Sequence, residues 1–109
     1  MATTYKILGQ KAPGASWTDL YTAGSAASAI ISTVVICNTS AANRTFRLGV
    51  VPATGVTPTT SGSLAYDSLV PANDSIVLTL GVTLAANNSL RCYGSTTDVG
   101  FSAFGAEIT

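Results

Sequence analysis

The sequence predicts an all-β fold: a single-domain antiparallel β-sandwich of about eight strands, either jelly-roll or immunoglobulin-like. Short runs rich in β-branched and aromatic residues alternate with turns of Gly, Pro, Asn and Asp. No stretch of about a dozen residues keeps a 3.6-residue apolar period without a helix breaker. A chain of 109 residues has room for one modest hydrophobic core, so we expect residues 1–109 to form one domain.

Turn residues separate the predicted strands at almost every junction. Gly9 ends the first strand, and residues 12–15 form the turn before the second. Residues 81–88 are a predicted crossover that ends in two asparagines. The predicted strands cover residues 3–8, 17–21, 29–38, 44–51, 64–67, 75–80, 89–94 and 99–108.

Residues 29–38 give the strongest strand signal, and they are apolar on both faces. Such a strand is either central and covered on both sides or located at a subunit contact. Residues 44–51 alternate cleanly, which predicts that Phe46, Leu48 and Val50 face the core. We expect these two runs to pair as a hairpin at the centre of the fold.

Residues 52–63 form a loop of Thr, Ser, Gly and Pro whose only large apolar side chain is Val56. Loops of about a dozen residues in a small domain are usually functional or mobile. We therefore expect a contact loop that reaches a neighbouring subunit. Shortening it should cost the fold little, because loop-closure entropy changes slowly with length. The candidate contact residues in this loop are Thr57, Thr59 and Thr60.

Arg44 and Arg47 are two further candidates for contacts with a partner protein. They belong to a chain that has only five basic residues. If they lie near a sheet edge, their guanidinium groups could form bidentate contacts with carboxylates of a partner. The alternative is a pair of solvated strand residues.

Charge is scarce and balanced in this chain. Only 9% of residues are charged, five basic against five acidic, so the formal net charge is zero. This composition provides no cluster of basic residues that could bind nucleic acid and no polybasic segment that could bind an anionic membrane. The longest apolar stretch, residues 29–37, is far shorter than the about 20 residues of a membrane-spanning helix. We expect neither nucleic acid nor a membrane among the partners.

The residues that most enzymes need are missing. The chain contains no histidine, the usual general acid or base at neutral pH and the commonest metal ligand. It contains neither a GxSxG nucleophile motif nor a glycine-rich phosphate loop. Nothing in the sequence pairs two of its carboxylates as a glycoside hydrolase requires. We therefore expect no enzymatic activity, no small-molecule substrate, no cofactor and no metal site.

The two cysteines, Cys37 and Cys92, leave two alternatives open. They could form a disulfide between two packed sheets, or they could remain buried free thiols, since cysteine is often buried. The N-terminal segment around Lys6 contains no apolar signal sequence, so we expect the chain to stay in a reducing compartment. That expectation favours free thiols.

The composition of the surface indicates a structural subunit. A free soluble domain usually has about a quarter of its residues charged, whereas this chain must cover itself mainly with Ser, Thr, Ala and Gly. Low charge with zero net charge favours association. Such a surface suits a protein that packs against neighbours in a large assembly.

Eight segments of predicted strand and turn residues, none with a catalytic signature, carry a likeness to a known family. They are residues 4–10 (TYKILGQ), 19–22 (DLYT), 34–38 (VVICN), 45–48 (TFRL), 66–67 (YD), 71–74 (PAND), 78–81 (LTLG) and 99–105 (VGFSAFG). These segments resemble small virion proteins of tailed bacteriophages, and the likeness runs almost end to end. It is weakest over residues 51–63, the threonine-rich loop.

Some members of this group resemble capsid cement or decoration proteins, so the resemblance implies a non-enzymatic virion structural protein. The implied partner is the phage major capsid protein. The resemblance also implies that the protein is made in the host cytoplasm and lies on the outer surface of the capsid. By the same analogy we expect the protein to self-associate. The form we expect is a homotrimer at the threefold positions of the capsid.

The alternative is a tail, baseplate or fibre-associated β-sandwich module that recognises a glycan on the host surface. Such a module needs an exposed ledge of aromatic side chains. Trp17 and Tyr21 are the candidates, and strand geometry predicts that they share one face with Asp19.

Overall fold

The β-favouring runs of the sequence form strands in the computed structural model, which describes residues 2–109. Within that part of the chain there are eight strands and one short 3-10 turn at Thr60–Gly62. The prediction of an all-β fold with about eight strands is confirmed. The strands are β1 (Thr3–Lys11), β2 (Thr18–Thr22), β3 (Ser28–Asn38), β4 (Arg44–Val51), β5 (Ser63–Val70), β6 (Ser75–Leu84), β7 (Ser89–Gly94) and β8 (Val99–Ile108).

The strands form two four-stranded antiparallel sheets around a shared core. Sheet I has the order β1-β8-β3-β6, and sheet II has the order β2-β7-β4-β5. Only β4 and β5 are consecutive neighbours in one sheet, because each of the other connections among the eight described strands crosses to the opposite sheet. This eight-stranded, double-sheet arrangement is a jelly roll and differs from the immunoglobulin order. Of the two predicted topologies, the jelly roll is the observed one.

The predicted hairpin between the third and fourth strands is wrong. β3 lies inside sheet I and β4 inside sheet II, and residues 39–43 carry the chain between them. Buried Asn38 holds this corner, because its side-chain amide donates to the carbonyl oxygens of Ala42 and Val70. Alternation fixes which face of a strand is buried but not which sheet the strand joins, so the pattern alone could not decide this point.

The core lies between the two sheets and is formed by the side chains on the inward face of the strands. Ile31 and Val34 of β3 are fully buried, and a register shift between them keeps both side chains pointing inward. Phe46 and Leu48 of β4 are buried as predicted, whereas Val50 is only partly buried against the core.

The outer face of β3 is uncovered. The strand is central in sheet I, yet Ile30 is 42% exposed on its outer side and Cys37 is also exposed. The alternative of a strand covered on both sides is therefore wrong for the isolated chain. The alternative of a strand at a subunit contact stays a prediction.

β1, β5 and β6 are longer than predicted, and β5 covers Ser63–Val70 in place of residues 64–67. β1 continues past Gly9, because this glycine lies at a bulge inside the strand and does not end it. A Cβ atom at Gly9 would lie 2.0 Å from the carbonyl oxygen of Leu20, so glycine allows the close approach of β2. β6 continues to Leu84, which reduces the predicted crossover to residues 85–88.

Tyr21 is a core residue and cannot belong to an exposed ledge. A register shift between Asp19 and Tyr21 breaks the strict alternation of β2, so both Leu20 and Tyr21 are buried. The Tyr21 hydroxyl donates a 2.6 Å hydrogen bond to Glu107. The pKa of the Tyr21 phenol is raised, mainly because the side chain is buried and also because of its contact with Glu107. The prediction that Trp17, Asp19 and Tyr21 share one face is wrong for this reason.

Both cysteines are free thiols, which confirms one of the two alternatives. Cys92 is buried in sheet II, and burial raises the pKa of its thiol to about 12. Cys37 differs from the expectation of two buried thiols, because it lies exposed on the outer face of sheet I. Only Cys37 is therefore accessible as a nucleophile in the folded chain.

We expect a thiol reagent to modify one cysteine, Cys37, in the native protein and a second only after unfolding. The measurement is a titration with an aromatic disulfide reagent, first in buffer and then in denaturant without reductant. The variant Cys37→Ser should lose the native reaction and keep the one that requires unfolding. Finding no reactive thiol in denaturant would establish a disulfide and contradict the structure.

Candidate interaction surfaces

Ion pairs inside the chain use most of its charged side chains. Four pairs take up eight of the ten charged residues, and only Lys11 and Asp74 lack an ion-pair partner among the described residues. The surface is therefore close to neutral locally as well as in total. The pairs are Lys6–Glu107, Arg44–Asp98, Arg47–Asp67 and Arg91–Asp19.

Arg44 and Arg47 do not lie at a sheet edge. β4 is an inner strand of sheet II, with β7 on one side and β5 on the other. Arg47 contacts both oxygens of Asp67, at 2.7 Å through Nε and 3.4 Å through Nη2. Arg44 reaches Asp98 at 3.4 Å. Arg47 thus makes a bidentate carboxylate contact within the chain, and contact of either arginine with a partner protein stays a prediction.

Arg47 also belongs to a row of stacked side chains that crosses the outer face of sheet II. We call Trp17, Tyr93, Arg47 and Tyr66 the aromatic row. The guanidinium carbon of Arg47 lies 4.3 Å from the ring centroid of Tyr93 and 4.1 Å from that of Tyr66. Trp17 contacts the Tyr93 ring at a centroid distance of 5.7 Å. Their order follows the strand order of the sheet, from the start of β2 to β5.

A bulge in β5 aims two side chains at Arg47. Phe46 pairs with Ser68 and Leu48 with Ala65, so two residues of β5, Tyr66 and Asp67, face the single residue Arg47 of β4. Asp67 adopts a positive φ of 50° at this bulge, and Asp tolerates this backbone conformation better than most residues do. Bulges commonly redirect side chains beside functional sites.

The loop after β4 borders a groove beside this row. The groove has a volume of about 710 Å³ and is lined by Pro58, Thr59, Thr60, Ser63 and Tyr66. Two of the three predicted threonine candidates, Thr59 and Thr60, thus lie together with the aromatic row. The third, Thr57, is exposed but does not line the groove.

Buried Arg91 anchors the same loop to sheet II. Its guanidinium donates to the carbonyl oxygen of Val56 at 2.9 Å and forms an ion pair with Asp19. Burial pushes the pKa of Asp19 upward, but hydrogen bonds from Thr54 and Ser89 and the charge of Arg91 outweigh it, so the pKa is lowered. Because a lowered pKa favours the folded state only while Asp19 is ionised, this contribution is lost as pH falls through the lowered pKa.

The loop lies outside the core, as predicted, but it is not detached from the sheet. None of its residues from 52 to 62 is buried. Pro58 nevertheless packs on the backbone of Gly49, where a Cβ atom would lie 2.6 Å from the Cβ of Pro58. The small cost expected for shortening the loop remains a prediction.

The outer face of sheet I is the second surface. Among the described residues no charged side chain occupies an outward position within its four strands, and Lys11 borders the face at the end of β1. We call this outer face the charge-free face. Four of its side chains are large, apolar and exposed, namely Tyr5, Ile7, Ile30 and Val77. Its outward positions, read from strand register, include Thr3, Tyr5, Ile7 and Gln10 of β1, Ser102, Phe104, Ala106 and Ile108 of β8, Ile30, Thr33, Val35 and Cys37 of β3, and Ser75, Val77, Thr79 and Thr83 of β6.

A shallow apolar groove of about 310 Å³ lies on the charge-free face, lined by residues of β1, β3 and β8. The neighbouring edge strand β6 has no charged residue and no proline in its ten positions. Edge strands of free proteins are usually protected by charge or proline, because their open hydrogen-bonding groups invite pairing. The face and this edge together form a large surface that is suited to protein contact.

Sequence reasoning missed the charge-free face. The signal was present in β1 and β6, where outward positions such as Tyr5 and Val77 are apolar. Only the strand order reveals that these residues and Ile30 share one surface. Tyr66 and Tyr93 were not among the candidates predicted from the sequence, although the Tyr66 side chain is 61% exposed.

Residues 2–109 contain neither a metal-binding cluster nor a membrane-spanning helix. No three His, Cys, Asp or Glu side chains come together there as a metal-binding group. In the same part of the chain, no helix is long and apolar enough to cross a membrane.

The fold is shared with part of a virus protein. A chain in the structure of infectious bursal disease virus, Gx strain, superposes on 97% of this chain with a TM-score of 0.51 and 11% sequence identity. The chain spans only 31% of the length of that virus chain. At this identity the likeness establishes a common fold alone.

No protein-family model matches the sequence, and no curated protein matches it. The narrower resemblance to virion proteins of tailed bacteriophages remains a prediction from the sequence.

Proposed function

We propose that the protein is a non-enzymatic structural component of a virus particle, specifically a decoration or cement protein that binds the major capsid protein on the outside of a phage shell. The charge-free face of sheet I carries this proposal. A free domain rarely exposes a whole sheet face without a charged side chain, and such a patch marks a contact with other proteins.

The size of this face fits a weak contact that is repeated many times. Four strands about 4.8 Å apart and about ten residues long at 3.3 Å per residue give an area of about 600 Å². A stable interface buries about 800 Å² per partner, so one such contact alone falls at the low end. Attachment of an oligomer at several lattice points raises the effective affinity without new contacts.

The absence of enzymatic activity is part of the proposal. The chain has no histidine, and four of its five carboxylates are held in ion pairs with basic residues. Such pairs stabilise the ionised carboxylate and oppose its use as a proton donor. A jelly roll also recurs in viral capsid domains, which is an analogy at the level of the fold.

Self-association completes the proposed mechanism, and a trimer at threefold positions is the form we propose. The open backbone edge of β6, a strand without charged residues, offers the surface for it, and this leaves the charge-free face to the capsid contact. Sedimentation of the purified protein at micromolar concentration should show a species larger than the monomer. A strict monomer, both free and on the shell, would contradict the trimer.

Replacing Val77 by lysine should weaken binding to capsid shells at least about tenfold, equivalent to about 1.4 kcal/mol. The reason is that an unpaired charge would have to be desolvated in the contact. The measurement is co-sedimentation with shells assembled without this protein. Val77 is 61% exposed, so thermal stability should stay nearly unchanged.

Leu69→Lys is the matched control, because Leu69 is 54% exposed but belongs to β5 of sheet II. It should bind shells as the unchanged protein does. Equal shell binding by the unchanged protein, Val77→Lys and Leu69→Lys would overturn the proposed role of the charge-free face. Cryo-electron microscopy of the virion distinguishes the proposed shell location from a location in the tail. A decoration protein would appear in many copies over the shell, whereas a tail module would appear in few copies at one vertex.

A further inference from the structure

We propose that the groove beside Tyr66 is a carbohydrate-binding subsite that accepts a neutral pyranose ring. This site lies on sheet II, whereas the proposed capsid contact lies on sheet I, so the two proposals rest on different residues. The inference combines an open aromatic face, neighbouring hydroxyl groups and a neutral charge balance.

The open aromatic face belongs to Tyr66. The Arg47 guanidinium lies 4.1 Å from the ring centroid and stacks on one face of the ring. The side chain is still 61% exposed, and it lines the groove of about 710 Å³. A flat ring with one free face offers an apolar platform for the C–H groups on one side of a sugar ring.

Hydroxyl groups border this platform. Thr59, Thr60 and Ser63 line the groove, and a hydroxyl has one hydrogen to donate and two lone pairs that accept. The Ser63 hydroxyl can only accept from a ligand, because its hydrogen is already donated within the chain. The Ser63 hydroxyl donates to the Thr59 carbonyl oxygen at 2.9 Å, and the Thr59 and Ser61 hydroxyls are 3.2 Å apart, so local contacts hold this rim in shape. An apolar wall with a few orienting polar groups is the usual construction of a small-molecule site.

The charge balance favours a neutral ligand over an acidic one. Arg47 stacks on Tyr66 at the groove, and both oxygens of Asp67 already contact its guanidinium. An anionic sugar would have to compete with this carboxylate. A neutral ring needs no such exchange.

The site is pre-organised by the fold. The β5 bulge fixes Tyr66 beside Arg47, and the guanidinium also lies over the Tyr93 ring, 4.3 Å from its centroid. A platform that is already ordered loses little conformational entropy on binding. Because the two sheets face opposite directions, a particle-bound copy would present this groove to the surroundings.

The test is a nuclear magnetic resonance titration of isotope-labelled protein with cellotetraose, chitotetraose and N-acetylneuraminic acid. We expect saturable shifts at residues 58–66 with at least one neutral oligosaccharide, and a dissociation constant on the order of 1 mM. Tyr66→Ala should weaken that binding at least about tenfold, because it removes the stacking platform. Tyr66→Phe should retain it.

Tyr5→Ala is the matched control, since Tyr5 is an exposed tyrosine on the opposite sheet. It should leave the titration unchanged, and unfolding curves of each variant would verify that the fold persists. Unchanged binding by Tyr66→Ala, or no saturable shift with either neutral oligosaccharide, would overturn the proposal. Tighter binding of N-acetylneuraminic acid would overturn its neutral-ligand part.

Discussion

Replacing Arg91 by methionine is expected to destabilise the native state by about 3 kcal/mol, the low end for breaking a buried ion pair. Arg91 is only 8% exposed, and it contacts Asp19 at 2.9 Å. It also donates to the carbonyl oxygens of Val56 and Trp17, at 2.9 and 3.0 Å. The loss should not reach the upper end of the range, because the Asp19 carboxylate keeps contact with water and can be solvated after the change.

The measurement is urea unfolding, compared with Arg44→Met as the control. Arg44 forms a longer pair of 3.4 Å with Asp98, and both side chains are partly exposed. Exposed pairs contribute less than about 1 kcal/mol, so this variant should be close to the unchanged protein. Equal unfolding midpoints for the two variants would show that Arg91 does not hold the loop and β2 in place.

Loss of Arg91 should also affect the proposed sugar groove. The guanidinium ties the loop at Val56, two residues before Pro58, which begins the groove wall. A loosened loop would leave Tyr66 in place on β5 but move Thr59 and Thr60. We therefore expect the hydroxyl rim, and not the aromatic platform, to depend on Arg91.

The fold class could be predicted from the sequence because period-two alternation and turn residues act locally. The strand of residues 75–80 shows this, since inward Ile76 and Leu78 alternate with exposed Val77 and Thr79. The sheet to which a strand belongs is a long-range property. The pairing of β3 with β8 depends on residues more than sixty positions apart, and no local pattern encodes it.

The candidate site could be predicted only in part for the same reason. Thr59, Thr60 and Arg47 were identified from their type and position, and all three lie on or beside the outer face of sheet II. The partner of Arg47 could not be foreseen, because Asp67 reaches it through a bulge in β5. Register shifts of this kind also buried Tyr21, which alternation had placed outside.

Gly105→Ala is expected to destabilise the protein by about 3 kcal/mol, the upper part of the usual range for overpacking. A Cβ atom at Gly105 would lie 2.0 Å from the carbonyl oxygen of Ile30 and 3.1 Å from the Cα of Ile31. These are backbone atoms of the neighbouring strand, so no side-chain rotation can relieve the overlap. The strands β3 and β8 would have to move apart at the centre of sheet I.

Gly100→Ala is the control in the same strand, because no atom lies within 4 Å of a Cβ built there. It should be neutral or slightly stabilising, as alanine restricts the unfolded chain more than glycine does. Thermal unfolding of both variants checks the stability, and similar melting temperatures would contradict the close packing at Gly105. Gly105 also lines the groove of the charge-free face, between Phe104 and Ala106. A separation of β3 from β8 would therefore deform the proposed capsid contact, and Gly105→Ala should lose shell binding even under conditions in which it remains folded.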